Sequence, residues 1–229
     1  AVINGELWAK EEINVVTGAN KIDYATSERQ QLAADGEKPA VALDVAALGG
    51  MYAGKIMLVG TEKGLGMNLG GRISAGGDLY ISNAGKLTVT ENMQPGNNGE
   101  TVNDAAVEAD GKITLLAEEL SSSSSIEAKG AVTLDVSGKL ENTGSLIAGV
   151  EYLQDEEADD AVFMHNEADL TLRAGELDNS GLISATKNLT VDIENGMVHR
   201  GLLTSEGSVS VTAGGSLTGS GAVGAQESV

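Results

Sequence analysis

Apolar positions recur along this chain at even spacings. From Ile183 they fall at Leu189, Val191 and Met197, at offsets of 6, 8 and 14. Twenty residues later Leu203 restarts the series with Val209, Val211 and Leu217, and Val223 opens another. Ile73, Leu79, Ile81 and Leu87 fit the same ruler, as do Ile126, Val132, Leu134 and Leu140. A strand alternates its faces with period two, so even offsets put all these side chains on one face. A repeat near twenty residues marks a solenoid, in which each coil buries its apolar face only by stacking on its neighbours. Glycine stands four residues after the last apolar position at Gly144, Gly181, Gly201 and Gly221. These read as corners, where glycine supplies the positive φ that a repeatedly turning chain needs.

Elsewhere the ruler comes and goes. Leu7, Ile13 and Val15 show the 6 and 8 offsets, and Asp23–Lys38 then breaks them. That segment is polar. It reads either as a short helix with Ser27 as N-cap and Gln30 three residues on, or as a loop or hairpin leaving the column. Pro39 ends it. Val41–Gly71 alternates short apolar runs with glycines. Its GLGMNLGG stretch has Leu69 where a dinucleotide fingerprint needs glycine, and a strand follows where a helix should, so turn glycines are the better reading. Glu91–Ala106 is a turn-rich excursion around Pro95. Val107, Ile113 and Leu115 resume the pattern. Ser121–Ser125 reads as a solvated corner, with the option that its serines bond to polar neighbours in adjacent coils. Glu151–Glu167 is a further interruption, after which Met164, Leu170 and Leu172 take up the offsets.

Composition narrows the partners. The formal charge of −20 opposes phosphate contacts, which require Lys/Arg patches, and loose docking on anionic lipid. Nucleic acid is therefore excluded, and the charge keeps a long β surface soluble. With no cysteine there is no disulfide, thiolate nucleophile or Cys-based zinc site. Aromatics are 3%, so small aliphatics must fill a narrow core. No 18-residue apolar run exists, so no transmembrane helix is expected. The start has no signal-peptide pattern, and Val223 opens a coil the sequence does not finish. Since solenoid ends are normally capped, this reads as a piece of a longer rod.

Reactive chemistry is sparse. Asp155, Glu156, Glu157, Asp159 and Asp160 lack the spacing and glycine of a calcium loop and read as a solvated loop. The carboxylate pair of a glycosidase needs a defined separation across a sugar cleft. His165 and His199 have no metal-ligand spacing, and no GxSxG elbow exists to pair with them. Asn188-Leu189-Thr190 is a sequon whose Asn188 and Thr190 face outward in this register. Trp8, Tyr24, Tyr52, Tyr80, Tyr152 and Phe163 are the large aromatics, with Tyr80 facing solvent between inward Leu79 and Ile81. No catalytic, metal or cofactor-binding residue stands out, and no binding residue can be named.

INVVTGANKIDY (Ile13–Tyr24) and PAVALDVAALGGMYAGKIMLVGTEKGLGMNLGG (Pro39–Gly71) resemble the exoproteins of two-partner secretion: filamentous haemagglutinins and CdiA-type contact-dependent inhibition proteins. They are similar to the distal part of the family's secretion, or haemagglutination-activity, domain. LDNSGLISATKNLTVDIENG (Leu177–Gly196) is similar to its haemagglutinin repeats. The resemblance implies an all-β, right-handed parallel β-helix, a hand that spacing alone does not determine. It implies residues 1–89 as secretion domain and 90–229 as repeat β-helix, continuous with the first. It also implies export of an unfolded chain through an outer-membrane β-barrel transporter to the bacterial cell surface. The family's Asn-Pro-Asn motifs are absent, so this stretch alone is not expected to be secretion-competent.

The expectation is a rod of about nine coils, on the order of 45–50 Å long at ~4.8 Å per coil. Its role is structural, within a secreted adhesin or toxin-carrying filament. The segments 23–38, 91–106 and 151–167 are the places where a host-cell or bacterial receptor would bind. The alternatives are a β-helix polysaccharide lyase or hydrolase, for which the 14 Lys and Arg do not cluster, and a passive secretion module.

Overall fold

The computed structural model describes residues 1–22, 29–32, 39–46, 49–91, 93–95, 101–103, 106–153 and 162–227. These form a parallel β-helix. A nine-stranded sheet runs from Glu6–Trp8 through Gly50–Ala53, Arg72–Ala75 and Ala106–Ala109 to Ala222–Ala225, one strand per coil and every neighbour parallel. A second sheet of thirteen strands carries the rest of each coil. In Leu79–Val89, Ile113–Ser122 and Val132–Asn142 the chain crosses this sheet as one long strand with a register shift midway. Later coils break there into separate strands, such as Leu189–Ile193 and Met197–His199. Each coil therefore has three strand runs and three corners.

The even-offset ruler describes the core. Met51, Ile73, Val107, Ile126, Leu146, Ile183 and Leu203 are direct register partners from coil to coil, and all are fully buried. Burying one such side chain contributes roughly 1.5–3 kcal/mol. The stack is open at its ends. Leu7 is 40% and Val223 42% exposed, and Leu217 is inward in register yet 59% exposed, because no coil lies beyond it among the described residues. Ile126 and Leu146 are partners twenty residues apart. Deleting residues 126–145 should therefore remove one whole coil and leave every other face in place. The expected outcome is a folded protein melting within roughly 5 °C of the parent by circular dichroism, as neighbour-only coupling requires; collapse of the β signal would show that this stretch is not one repeat unit.

Four local expectations are corrected. Segment 23–38 is not entered through a helix: Arg29–Gln31 is a strand, antiparallel to Asn20–Ile22, so the hairpin alternative holds for the described residues and Gln30 lies in a strand. Ser27 lies outside them. Met164 does not stand on a strand of the parallel column; its backbone pairs with Glu151 in the antiparallel hairpin Val150–Leu153/Val162–His165. The coil continues from Leu146, whose register partner is Ile183. Leu170 follows Leu146 by 24 residues instead of 6, an insertion of 18, and Met164 stands 18 residues after Leu146, which is why both fit the ruler.

The corner glycines are needed for a different reason from the one expected. Positive φ occurs at Gly18, Gly64, Gly149 and Gly219, not at Gly144, Gly181, Gly201 or Gly221. A Cβ on Gly144, Gly181 or Gly201 would lie under 3.0 Å from the backbone carbonyl of the coil before: Ser124, Gly144 and Gly181 respectively. Glycine is required there by close approach. Lastly, the serine run is not a solvated corner: Ser122 and Ser124 are each 2% exposed.

Candidate functional site

Three antiparallel hairpins interrupt the parallel column: Asn20–Ile22 with Arg29–Gln31, Met93–Pro95 with Thr101–Asn103, and Val150–Leu153 with Val162–His165. Antiparallel pairing is what a chain adopts when it leaves a coil and returns to the same corner. Each departs from a different corner. The first lies between Glu12–Thr17 and Val41–Val45, the second between Leu79–Val89 and Ala106–Ala109, and the third between Ser145–Ala148 and Leu170–Asn179. They belong to the first, third and sixth coils. The structure therefore does not bring the three expected contact segments together. Asp155, Glu156, Glu157, Asp159, Asp160 and Tyr24 lie outside the described residues. His165 is placed by its backbone alone, opposite Val150.

The outer surface is charged and ion-paired from coil to coil. Arg72 grips Glu108 through Nε at 3.2 Å and its terminal nitrogen at 2.8 Å, and Arg200 reaches Asp178 at 2.8 Å. Lys139 donates to Glu141. That hydrogen bond holds the Glu141 carboxyl below its ordinary range and raises the Lys139 ammonium. Glu141 thus favours the fold above the carboxylate range and loses that contribution as pH falls through it. These exposed pairs add little individually. Among the described residues no three His, Asp or Glu side chains converge on a metal-sized site. No helix among them is long and apolar enough to cross a membrane.

The inside holds a polar row absent from the sequence reading. Ser122, Asn142, Asn179 and His199 are register partners in consecutive coils, at most 5% exposed. Asn142 Nδ2 donates to Asn179 Oδ1 at 2.8 Å, and Asn179 Nδ2 lies 3.2 Å from His199 Nδ1. His199 Nε2 lies 3.0 Å from Ala222 O. A carbonyl only accepts, so the imidazole proton sits on Nε2 and Nδ1 accepts from Asn179. Each amide is also fixed by a carbonyl of its own corner, Asn142 by Gly144 O and Asn179 by Gly181 O, both at 3.3 Å. His199 is thus a satisfied interior histidine. The signal was present: these residues stand two positions after inward Leu120, Leu140, Leu177 and Met197, the next even step of the ruler. Asn179→Ala should remove the shortest contact of the Asn142 amide and leave the His199 Nδ1 acceptor stranded in the core. The expected loss is about 1–3 kcal/mol in a urea melt, and a change below about 0.5 kcal/mol would mean the row is not hydrogen-bonded as described.

Two other sequence candidates are placed. Asn188 is half-buried and occupied: its Nδ2 donates to Asp169 Oδ1 at 3.0 Å and its Oδ1 accepts from Ser208 N–H at 3.3 Å. The sequon side chain is therefore a corner brace. Trp8 and Tyr52, directly paired across the first two coils, stack with centroids 4.1 Å apart.

Residues 1–89 match the TPS secretion domain, and residues 167–221 match the haemagglutinin repeat. The chain belongs to the two-partner-secretion exoproteins. Among relatives of this exoprotein segment, Toxin CdiA of Yersinia pestis is 51% identical over 87 residues, 37% of this chain and 3% of that protein. The tRNA nuclease CdiA of Escherichia coli strain STEC_O31 is 30% identical over 221 residues, 93% of this chain and 6% of that protein. The exoprotein segment thus spans only a few per cent of the length of the relatives it matches. No solved structure matches it.

Proposed function

We propose that this chain is a structural segment of a large secreted cell-surface filament, and that it links a secretion domain, residues 1–89, to a repeat β-helix, residues 90–229. The observation that carries this is continuity. Arg72–Ala75 pairs in register with Ala106–Ala109, and Leu79–Val89 with Ile113–Ser122, so the column crosses residue 89 without a break in either sheet. A rod of this kind bears load and sets distance; in this reading it has no catalytic chemistry of its own. Export proceeds through an outer-membrane β-barrel transporter, and the folded rod stands at the bacterial outer surface. The relatives' names, toxin and tRNA nuclease, favour a carrier of a contact-delivered toxin over a host adhesin. A receptor for either partner cell would meet the hairpins one at a time, since they leave three different corners.

The test is surface staining of intact cells that express the parent exoprotein, with an antibody raised against residues 113–222. Staining is expected when the transporter gene is present and absent when it is deleted. Equal staining in both strains, or none in either while the chain accumulates outside as a free soluble product, would sink the proposal.

A further inference from the structure

The buried polar row does not run the length of the column. Before Ser122 the same inward position is aliphatic, held in successive coils by Ile3, Val45, Leu69 and Val89. Asn142 and Asn179 then fill it with amides, and His199 alone brings a group that titrates near neutral pH. The next coil is shaped to the imidazole: its register partner is Gly219, and a Cβ on Gly221 would lie 2.5 Å from the ring. The strands around it offer the ring no charge. Arg173, Glu176 and Asp178 of Leu170–Asn179 stand on outward positions, Asp178 bonded there to Arg200, the outward neighbour of His199. Leu182–Ala185, Leu202–Ser205, Leu217–Gly219 and Ala222–Ala225 contain no titratable side chain.

We propose that His199 is an acid-sensitive joint in the column: a proton on its Nδ1 breaks the row between Asn179 and Ala222 and opens the coils that meet there. The closed row accepts only the neutral ring. A second proton, on Nδ1, would point at the Asn179 Nδ2–H group 3.2 Å away, donor against donor. Turning the Asn179 amide over does not relieve this. Its Oδ1 would then face Gly181 O, and its Nδ2 would face Asn142 Nδ2, which is held in turn by Gly144 O and Leu182 O at 3.3 Å. An opened coil takes up the proton in the ordinary imidazole range, around 6.5. The open form therefore binds more protons than the closed one, so the row contributes fully above that range and its contribution is lost as pH falls through it. The joint involves none of the three hairpins and stands apart from the structural role proposed above.

The test is amide hydrogen exchange of the 229-residue protein at pH 7.5 and 5.5, above the range where carboxylates titrate, with rates expressed as protection factors. Protection across residues 177–205 should fall about tenfold between the two pH values, since one proton is taken up on opening. Protection across residues 73–89, where the row is aliphatic, should not change. His199→Asn, which keeps an amide in the row, should lose the pH response, and His165→Asn, which removes the other histidine, should keep it. Imidazole nitrogen NMR of the unaltered protein needs no variant: His199 should show the Nε2–H tautomer at pH 7.5 and a charged ring only in the opened form. A ring that takes its proton while residues 177–205 stay protected overturns the proposal. So does an equal pH response in the parent and His199→Asn, or a loss of protection spread evenly along the column.

Discussion

Val191→Asp is expected to unfold its own coil and those stacked on it. Val191 is fully buried, in register between Leu172 and Val211, and flanked on its strand by inward Leu189 and Ile193. All four are aliphatic, so a carboxylate would meet no donor there. An unpaired charge in such a site carries a desolvation cost that the protein escapes only by protonating it or by opening. Losses of this type exceed about 4 kcal/mol, which for a chain of this size lowers the melting point by about 10 °C or more. Because coils are stabilised by their neighbours, the transition should also broaden or split as the C-terminal coils part from the rest. Thr190→Asp, one residue away on the outer face, should change the melt by less than about 2 °C. Equal melts for the two variants would refute the register.

The second large effect is expected at the corners. Gly181→Ala would place a methyl under 3.0 Å from Gly144 O, an oxygen already accepting from Leu182 N–H at 2.9 Å. Gly181 O in turn accepts from Leu202 N–H at 3.0 Å. The clash is with backbone on the neighbouring coil, so relief requires the stack to open at that corner. About 3 kcal/mol or more should be lost, measured by urea denaturation at constant m-value. Gly196→Ala is the comparison. Its nearest neighbour would be Ser216 Oγ at 3.6 Å, ordinary contact, and its φ is not positive. That variant should be neutral or gain up to about 1 kcal/mol from a less flexible unfolded chain. If both glycines behave alike, close approach is not the reason for the corner column.

Most of the column could be read from spacing because a β-helix repeats one environment. Ile73, Ile126 and Ile183 sit in near-identical surroundings, so each confirms the others. The failures have a common cause, which is that spacing reports position and not the way the chain connects positions. Met164 fitted the ruler because the inserted hairpin is 18 residues long, near the repeat itself. The serine run looked solvated because Ser is usually exposed, yet Ser122 holds an inward position and donates to Ser124 O at 3.2 Å. The corner glycines were found by position while their reason was missed, since close approach between coils is a three-dimensional fact. The Trp8–Tyr52 pairing depends on which coils neighbour across the first hairpin, and no local pattern carries that.

The interior row of Ser122, Asn142, Asn179 and His199 has a direction. From Asn142 onward each side chain of the row donates one proton to the following coil: Asn142 to Asn179, Asn179 to His199, His199 to Ala222 O. A column that stopped at Asn142, Asn179 or His199 would therefore finish on an N–H that lacks its acceptor in the next coil. Only a chain that arrives with an acceptor at the matching place closes it without penalty. A turn slipped by one residue would put Val198 or Arg200, neither with a side-chain acceptor, where His199 stands and leave the Asn179 proton without its partner. The row thus ties the register of each coil to the next by a directional contact, which interchangeable stacks of Leu, Ile and Val do not.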